Sequence, residues 1–237
     1  MHGFIQRTES LGGLDCIVLS PESATPELAV VLCHGFGEQG SNLAACVCGA
    51  TLAQSALRHP VVFVFPDSPW RLVNQPAWWT PDFSHLADGN PRHLRDDCPD
   101  ELPESRRRIL AVVDAVMTTF QLPASRIVLG GFSQGAMLAT DVALCMSDAP
   151  AGLCVWAGSL LNEAQWRPLA AKRGFMRVLE AHSRNDAALP FKAAIWLRDM
   201  FEESGFDVRF VEYSGGHTIP AEGITGLVSL IDDTLGA

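Results

Sequence analysis

No stretch of this 237-residue chain approaches the ~20 uninterrupted apolar residues of a membrane span, so stable insertion into a bilayer is not expected. Basic residues are scarce: 17 Lys and Arg stand against 27 Asp and Glu, a net charge of −10. That balance weighs against nucleic acid and anionic membrane surfaces as partners. C-x-x-C is absent and the seven cysteines are odd in number, so no disulfide framework is supported. Cys16, Cys33, Cys46, Cys48, Cys145 and Cys154 sit in apolar runs, the pattern of buried, reduced thiols in a cytoplasmic protein. Residues Met1 to Ser10 carry no apolar core of the signal-peptide kind, and the chain has no internal repeat.

What is present suits a single large α/β domain over residues 1–237. Hydrophobic residues make up 48%, enough for a sizeable core. Apolar runs at 14–19, 28–33, 61–65, 127–129, 152–157, 176–181 and 208–213 read as strands, several without polar alternation, as in strands buried on both faces of a parallel sheet. Between them lie helical stretches: one from Ser41 or Asn42 to about Leu57, one over 104–120, one from Ala136, one from Pro190 to before Gly205, and an amphipathic one through Ile224, Leu227, Val228 and Ile231. Strand–helix alternation predicts a mostly parallel central sheet flanked by helices.

The segment 66–103 breaks this rhythm. It holds seven of the 15 prolines, with Trp70, Trp78, Trp79 and Phe83, and can be neither a long helix nor a central strand. A connection this long is commonly functional. Trp78, Trp79 and Phe83 suit substrate binding, as an acyl pocket or lid, and equally suit packing of the loop onto the core. Exposed aromatics there also suit a contact between two copies of the chain. Asp82, His85, Asp88, His93, Asp96, Asp97 and Cys98 match no metal-ligand spacing, so no metal site is expected. Arg106, Arg107 and Arg108 read as a solvated, partly ion-paired helix start.

Gly131-Phe132-Ser133-Gln134-Gly135 stands between an apolar strand and an Ala-rich helix. A serine at such a turn is held in strained geometry with its hydroxyl exposed above the sheet. The hydroxyl needs a base, and the base an orienting acid. In open α/β sheets these groups come from loops at the carboxyl ends of strands. Asp186 follows the 176–181 run and His217 the 208–213 run, which gives the order Ser133, Asp186, His217. Asp186 also suits a helix N-cap, and His217 a turn histidine; His182 reads as shaping the acid loop. The oxyanion donors expected are the backbone N–H groups of Gln134 and of Phe36, in the His34-Gly35-Phe36-Gly37 loop.

Leu32-Cys33-His34-Gly35-Phe36-Gly37, Gly131-Phe132-Ser133-Gln134-Gly135-Ala136, Asp186 with Pro190, and Gly216-His217 together resemble the carboxylesterase/phospholipase family of small α/β-hydrolases, which includes acyl-protein thioesterases. The likeness runs from about residue 28 to the end. It implies an α/β-hydrolase fold with a long Pro/Trp-rich loop insertion, a Ser133–Asp186–His217 triad, hydrolysis of esters or thioesters of small molecules or acylated proteins, and no cofactor. Two departures stand out. The acid loop reads Glu180-Ala181-His182-Ser183-Arg184-Asn185-Asp186, without the usual glycines, and the substrate-loop pattern gives way to Trp78-Trp79-Thr80-Pro81-Asp82. A small serine peptidase or amidase, or a hydrolase-fold binding protein, are the rival readings.

Overall fold

The computed structural model describes residues 3–53, 57–72, 74–84 and 92–236. Its centre is an eight-stranded sheet in the order β1-β2-β4-β3-β7-β8-β9-β10. These strands are β1 (Phe4–Leu11), β2 (Leu14–Pro21), β3 (Leu28–Cys33), β4 (Val61–Pro66), β7 (Ile127–Phe132), β8 (Gly152–Trp156), β9 (Arg177–Ser183) and β10 (Asp207–Tyr213). β1 and β2 pair antiparallel, as do β2 and β4. From β4 to β10 every pairing is parallel. Strands β3, β4, β7 and β8 are buried at every residue, which is why their sequences show no polar alternation.

Helices cover both faces. On one side Ile109, Val112 and Val116 of α3 (Leu102–Phe120), Leu138 and Val142 of α4 (Gln134–Cys145), Trp166 of α5 (Glu163–Arg173) and Leu197 of α6 (Phe191–Glu203) pack with Val31, Leu129 and Val155. On the other, Leu43 and Val47 of α1 (Gly40–Ala53) and Ile224, Leu227 and Ile231 of α7 (Ala221–Leu235) close over Val30, Val128 and Cys154. The 3.6-residue spacing of these side chains turns one stripe of each helix to the sheet.

Several elements absent from the sequence reading appear, β1 and α5 the longest among them. β1 pairs with β2 through Gly12-Gly13, both at positive φ (59° and 84°), the backbone of a tight two-residue hairpin. α5 carries Pro168 in its interior and is short of apolar residues, with Trp166 and Ala170, one turn apart, as its buried pair and Leu169 packed beside them. Segment 66–103 contains a small hairpin, β5 (Trp70–Leu72) with β6 (Gln75–Ala77), and a short helix α2 (Arg92–Asp96). Of the acidic and histidine residues in this segment, His85 and Asp88 lie outside the described residues, and no group of three His, Cys, Asp or Glu gathers as a cation site among the described ones.

Not every expectation survives. All seven cysteines are free, but of the six in apolar runs Cys46 is exposed and Cys145 only partly buried. On α1, Leu43 and Val47 face the sheet, which turns Cys46 outward. Arg107 and Arg108 pair with Glu104 at the helix surface, whereas Arg106 turns inward to the fully buried Asp141 at 3.3 Å.

Candidate active site

The carboxyl ends of β3, β7, β9 and β10 deliver the four candidate segments to one edge of the sheet. Ser133 lies between β7 and α4 with φ 55° and ψ −120°, outside the regions open to ordinary L-residues. Such a backbone costs on the order of 1–3 kcal/mol and must be held by its surroundings. Its amide donates to the Trp156 carbonyl at 2.9 Å, and its carbonyl accepts from the amides of Ala136 and Met137. The turn closes against β3: a Cβ on Gly135 would sit 2.1 Å from the Cys33 oxygen, and one on Gly131 2.4 Å from it. Only glycine fits at either position.

His217 reaches the serine from the loop after β10. Its Nε2 lies 2.8 Å from Ser133 Oγ, and its Nδ1 2.7 Å from Asp186 Oδ2. A carboxylate accepts, so the ring proton sits on Nδ1 and leaves Nε2 to accept from the serine hydroxyl. The imidazole rests on Phe132, with centroids 4.8 Å apart. Asp186 Oδ1 takes the Ala188 and Leu189 amides at 2.8 and 2.9 Å. The aspartate therefore serves both its own turn and the histidine. Burial pushes its carboxyl up, but the His217 bond and the two amides outweigh that and hold it below its usual value.

His182 sits beneath this pair. Its Nε2–H donates to the Leu189 carbonyl at 2.9 Å and lies 3.6 Å from Asp186 Oδ2. Burial pushes this imidazole below its usual value, against the Leu189 carbonyl and Asp186. A neutral ring braces the acid loop. The glycines expected there are replaced by Glu180 and Ser183, and Ser183, together with Asn185, holds the neighbouring loop instead. Ser183 Oγ accepts from the amides of Gly215 and Gly216, each at 3.2 Å, and donates to Asn185 Oδ1 at 2.7 Å.

The two expected oxyanion donors approach from different elements. Gln134 opens α4, where the first backbone N–H groups have no partner within the helix. Phe36 is the second residue of a turn in which the Glu38 amide donates to the Gly35 carbonyl at 3.2 Å, with Gly37 at φ 80°. Glu38 closes that turn by accepting the Gly35 amide through Oε2.

The three aromatics divide. Trp78 and Trp79 are 0% and 3% exposed and belong to the core, so they offer no surface to an acyl chain, and packing is what their burial describes. Phe83 is 52% exposed and meets the Phe36 ring edge-on at 6.0 Å. It alone of the three stands at the rim beside an expected donor.

A family model described as Phospholipase/Carboxylesterase matches residues 14–235. The chain belongs to this family. It is thus a hydrolase of the carboxylesterase and thioesterase type. The chain is 26% identical to acyl-protein thioesterase 1 of Neurospora crassa, over 92% of this chain and 91% of that protein. It is 24% identical to acyl-protein thioesterase 1 homolog 1 of Dictyostelium discoideum, over 92% and 95%. Among solved structures, esterase PE8 superposes with a TM-score of 0.76 at 21% identity, covering 92% of this chain and 97% of that one. The Bacillus cereus carboxylesterase gives 0.70 at 14%, over 93% and 94%. At these identities the two structures attest the fold, an α/β-hydrolase with a mostly parallel sheet.

Sequence reasoning missed part of the support around this hydrolase's serine turn. The Gln134 side chain and His34 were read only as motif letters, yet both are buried and fully engaged. His34 Nδ1–H donates to the Gly35 carbonyl at 2.8 Å, and its Nε2 accepts from the Ser68 amide at 3.1 Å. Burial pushes His34 down, opposed by the Gly35 bond and Asp67, which fits a neutral ring with that tautomer. A polar residue inside an otherwise apolar strand-to-turn run was the available signal.

Proposed function

We propose that the protein is a serine hydrolase that cleaves carboxylic esters or thioesters through Ser133, His217 and Asp186. The observation that carries this reading is the unbroken series of hydrogen bonds from Ser133 Oγ to His217 Nε2 and from His217 Nδ1 to Asp186 Oδ2, at 2.8 and 2.7 Å. His217 takes the serine proton as Ser133 attacks the acyl carbonyl. Asp186 holds the ring tautomer and stabilises the imidazolium. The oxyanion accepts from the Phe36 and Gln134 N–H groups, the leaving alcohol or thiol collects the proton from His217, and an acyl-enzyme remains. Water activated by His217 then releases the acid.

Relatives named acyl-protein thioesterases support thioesters of acylated proteins, or small-molecule esters, as the substrate class. No helix among the described residues is long and apolar enough to cross a membrane. We assign residues 1–237 to one catalytic domain, with 66–103 as its lid or substrate-loop segment. A panel of aryl esters and acyl thioesters of increasing chain length, run with wild type and Ser133→Ala, tests the proposal. Turnover by wild type with loss of at least three orders of magnitude in Ser133→Ala is expected, on the scale of about 10⁶ for removal of a triad serine. Equal labelling of both proteins by a fluorophosphonate probe contradicts the nucleophile assignment.

A further inference from the structure

The two oxyanion donors belong to separate pieces of the fold, one after β3 and one at the start of α4. Their spacing must nevertheless be fixed closely, because a misplacement of about 1 Å at such a site costs on the order of 100-fold in rate. We propose that Trp78 and the side chain of Gln134 are positioning residues that set this spacing by tying the two donor segments together. The proposal rests on the reading of Phe36 and Gln134 N–H as the oxyanion hole.

The connection can be followed atom by atom. Gln134 Oε1 accepts from the Trp78 amide at 2.9 Å, and Gln134 Nε2 donates to the Trp79 carbonyl at 2.9 Å. Both ends of one side-chain amide thus grip consecutive residues of the 66–103 segment. The Trp78 indole Nε1–H then donates to the His34 carbonyl at 2.9 Å, two residues before Phe36. The Trp78 carbonyl accepts from Ser105 Oγ on α3, which anchors the tie to a third element. The His34 ring lies over the indole with centroids 5.0 Å apart.

Each member is buried: Trp78, His34 and Ser105 are 0% exposed and Gln134 3%. A polar group at such depth that loses its partner also loses any access to water, so the arrangement has few alternatives. Packing alone would ask only for an apolar ring at position 78. Here the single polar atom of that ring is spent on the residue that opens the donor loop. The Gln134 side chain belongs to the same residue as the second donor, so the tie starts at one donor and ends two residues from the other. A neutral substrate carbonyl loses little if the donors drift apart. A developing oxyanion loses much, so the effect falls on the chemical step.

Trp78→Phe removes the indole donor and keeps an aromatic ring; Gln134→Met keeps length and the backbone N–H but removes both side-chain bonds. Rates are measured per active site, counted by fluorophosphonate titration, so that misfolded protein does not enter the result. Each variant is expected to lower kcat about 10- to 100-fold with KM within about twofold of wild type. The inhibition constant of a trifluoromethyl ketone, which forms a charged tetrahedral adduct on the serine, should rise in step with the fall in kcat/KM. The acidic limb of the kcat/KM profile should stay where it is, since His217 and Asp186 are untouched. The double variant should resemble the weaker single variant rather than the product of the two, as members of one linkage do. If Trp78→Phe fails to fold, Gln134→Met alone carries the same readouts. A kcat per site within threefold of wild type, a rise in KM in place of the fall in kcat, or full additivity overturns the proposal. Ser133→Ala separates the two levels: if it still hydrolyses, the serine assignment fails and the inference with it. If it is inert while the tie variants run at wild-type rate, the positioning role alone is lost.

Discussion

Asp186→Asn separates the electronic role proposed for Asp186 from its structural one. Asp186 Oδ1 holds the Ala188 and Leu189 amides and Oδ2 faces His217 Nδ1. An asparagine can keep its oxygen on the two amides, so the loop stays in place. Its Nδ2–H₂ then meets His217 Nδ1 at about the former 2.7 Å. Two N–H groups cannot face each other, so the ring shifts its proton to Nε2. Nε2 then donates toward Ser133 Oγ and cannot take its proton. The expected loss in kcat is about 10⁴-fold, or roughly 5.4 kcal/mol of barrier at 1.36 kcal/mol per factor of ten. Steady-state hydrolysis of an aryl ester, per titrated site, measures it. Asp186→Ala should lose similar activity and in addition unfold at lower temperature, because two buried amides lose their acceptor at about 1–3 kcal/mol. The pH dependence has a definite sign. The Asp186 carboxyl lies below its usual value in the fold, so its stabilising effect is present above the unfolded-state pKa of 3.8 and disappears as the pH falls through the folded value. Melting temperatures of wild type and Asp186→Asn should converge on acidification. An Asp186→Asn variant with more than a tenth of wild-type kcat refutes the reasoning.

Two further outcomes follow from groups outside the relay. Gly135→Ala places a Cβ 2.1 Å from the Cys33 oxygen and 2.4 Å from the His34 oxygen, both backbone, and should cost about 3 kcal/mol. That corresponds to roughly 6–12 °C in Tm for a chain of this size, read by calorimetry; a shift under 2 °C contradicts the closeness of the turn. Glu180 on β9 is fully buried, and neither carboxylate oxygen has a hydrogen-bond partner among the described residues. Burial pushes its carboxyl far above the usual range, opposed by Arg198 and reinforced by Asp199 and Glu202, all on α6. With the folded pKa raised, the group's stabilising contribution is complete below 4.5 and declines as the pH rises from there. Glu180→Gln should therefore gain stability over wild type between pH 4.5 and pH 8 in denaturant titrations; a constant difference across that range rejects the account.

How much of this was legible beforehand depends on whether the deciding contact is local. The buried strands were readable because a parallel sheet covered on both faces demands unbroken apolar runs, as in Val61 to Phe65. The order Ser133, Asp186, His217 was readable because strand ends lie where the loops begin. β1 escaped because most of its residues are polar and half are exposed, although Gly12-Gly13 between two runs announced the turn. β9 extends two residues beyond the apolar run, so His182 and Ser183 stand in the strand rather than the loop. The burial of Trp78 could not be read at all. It depends on Gln134, 56 positions away, and on Ser105, 27 away, and no local pattern carries such a pairing.

The sheet's two borders have a consequence of their own. β1 presents Gln6, Arg7, Thr8 and Ser10 to solvent along one margin, and β10 exposes Asp207, Arg209 and Glu212 along the other. Unpaired strand margins invite another chain to add on, and charge along them opposes it. The wholly apolar strands β3, β4, β7 and β8, the most aggregation-prone runs in the chain, lie between these margins. Their order in the sheet therefore works as protection: the segments that would nucleate fibrils are the ones a neighbouring molecule meets last.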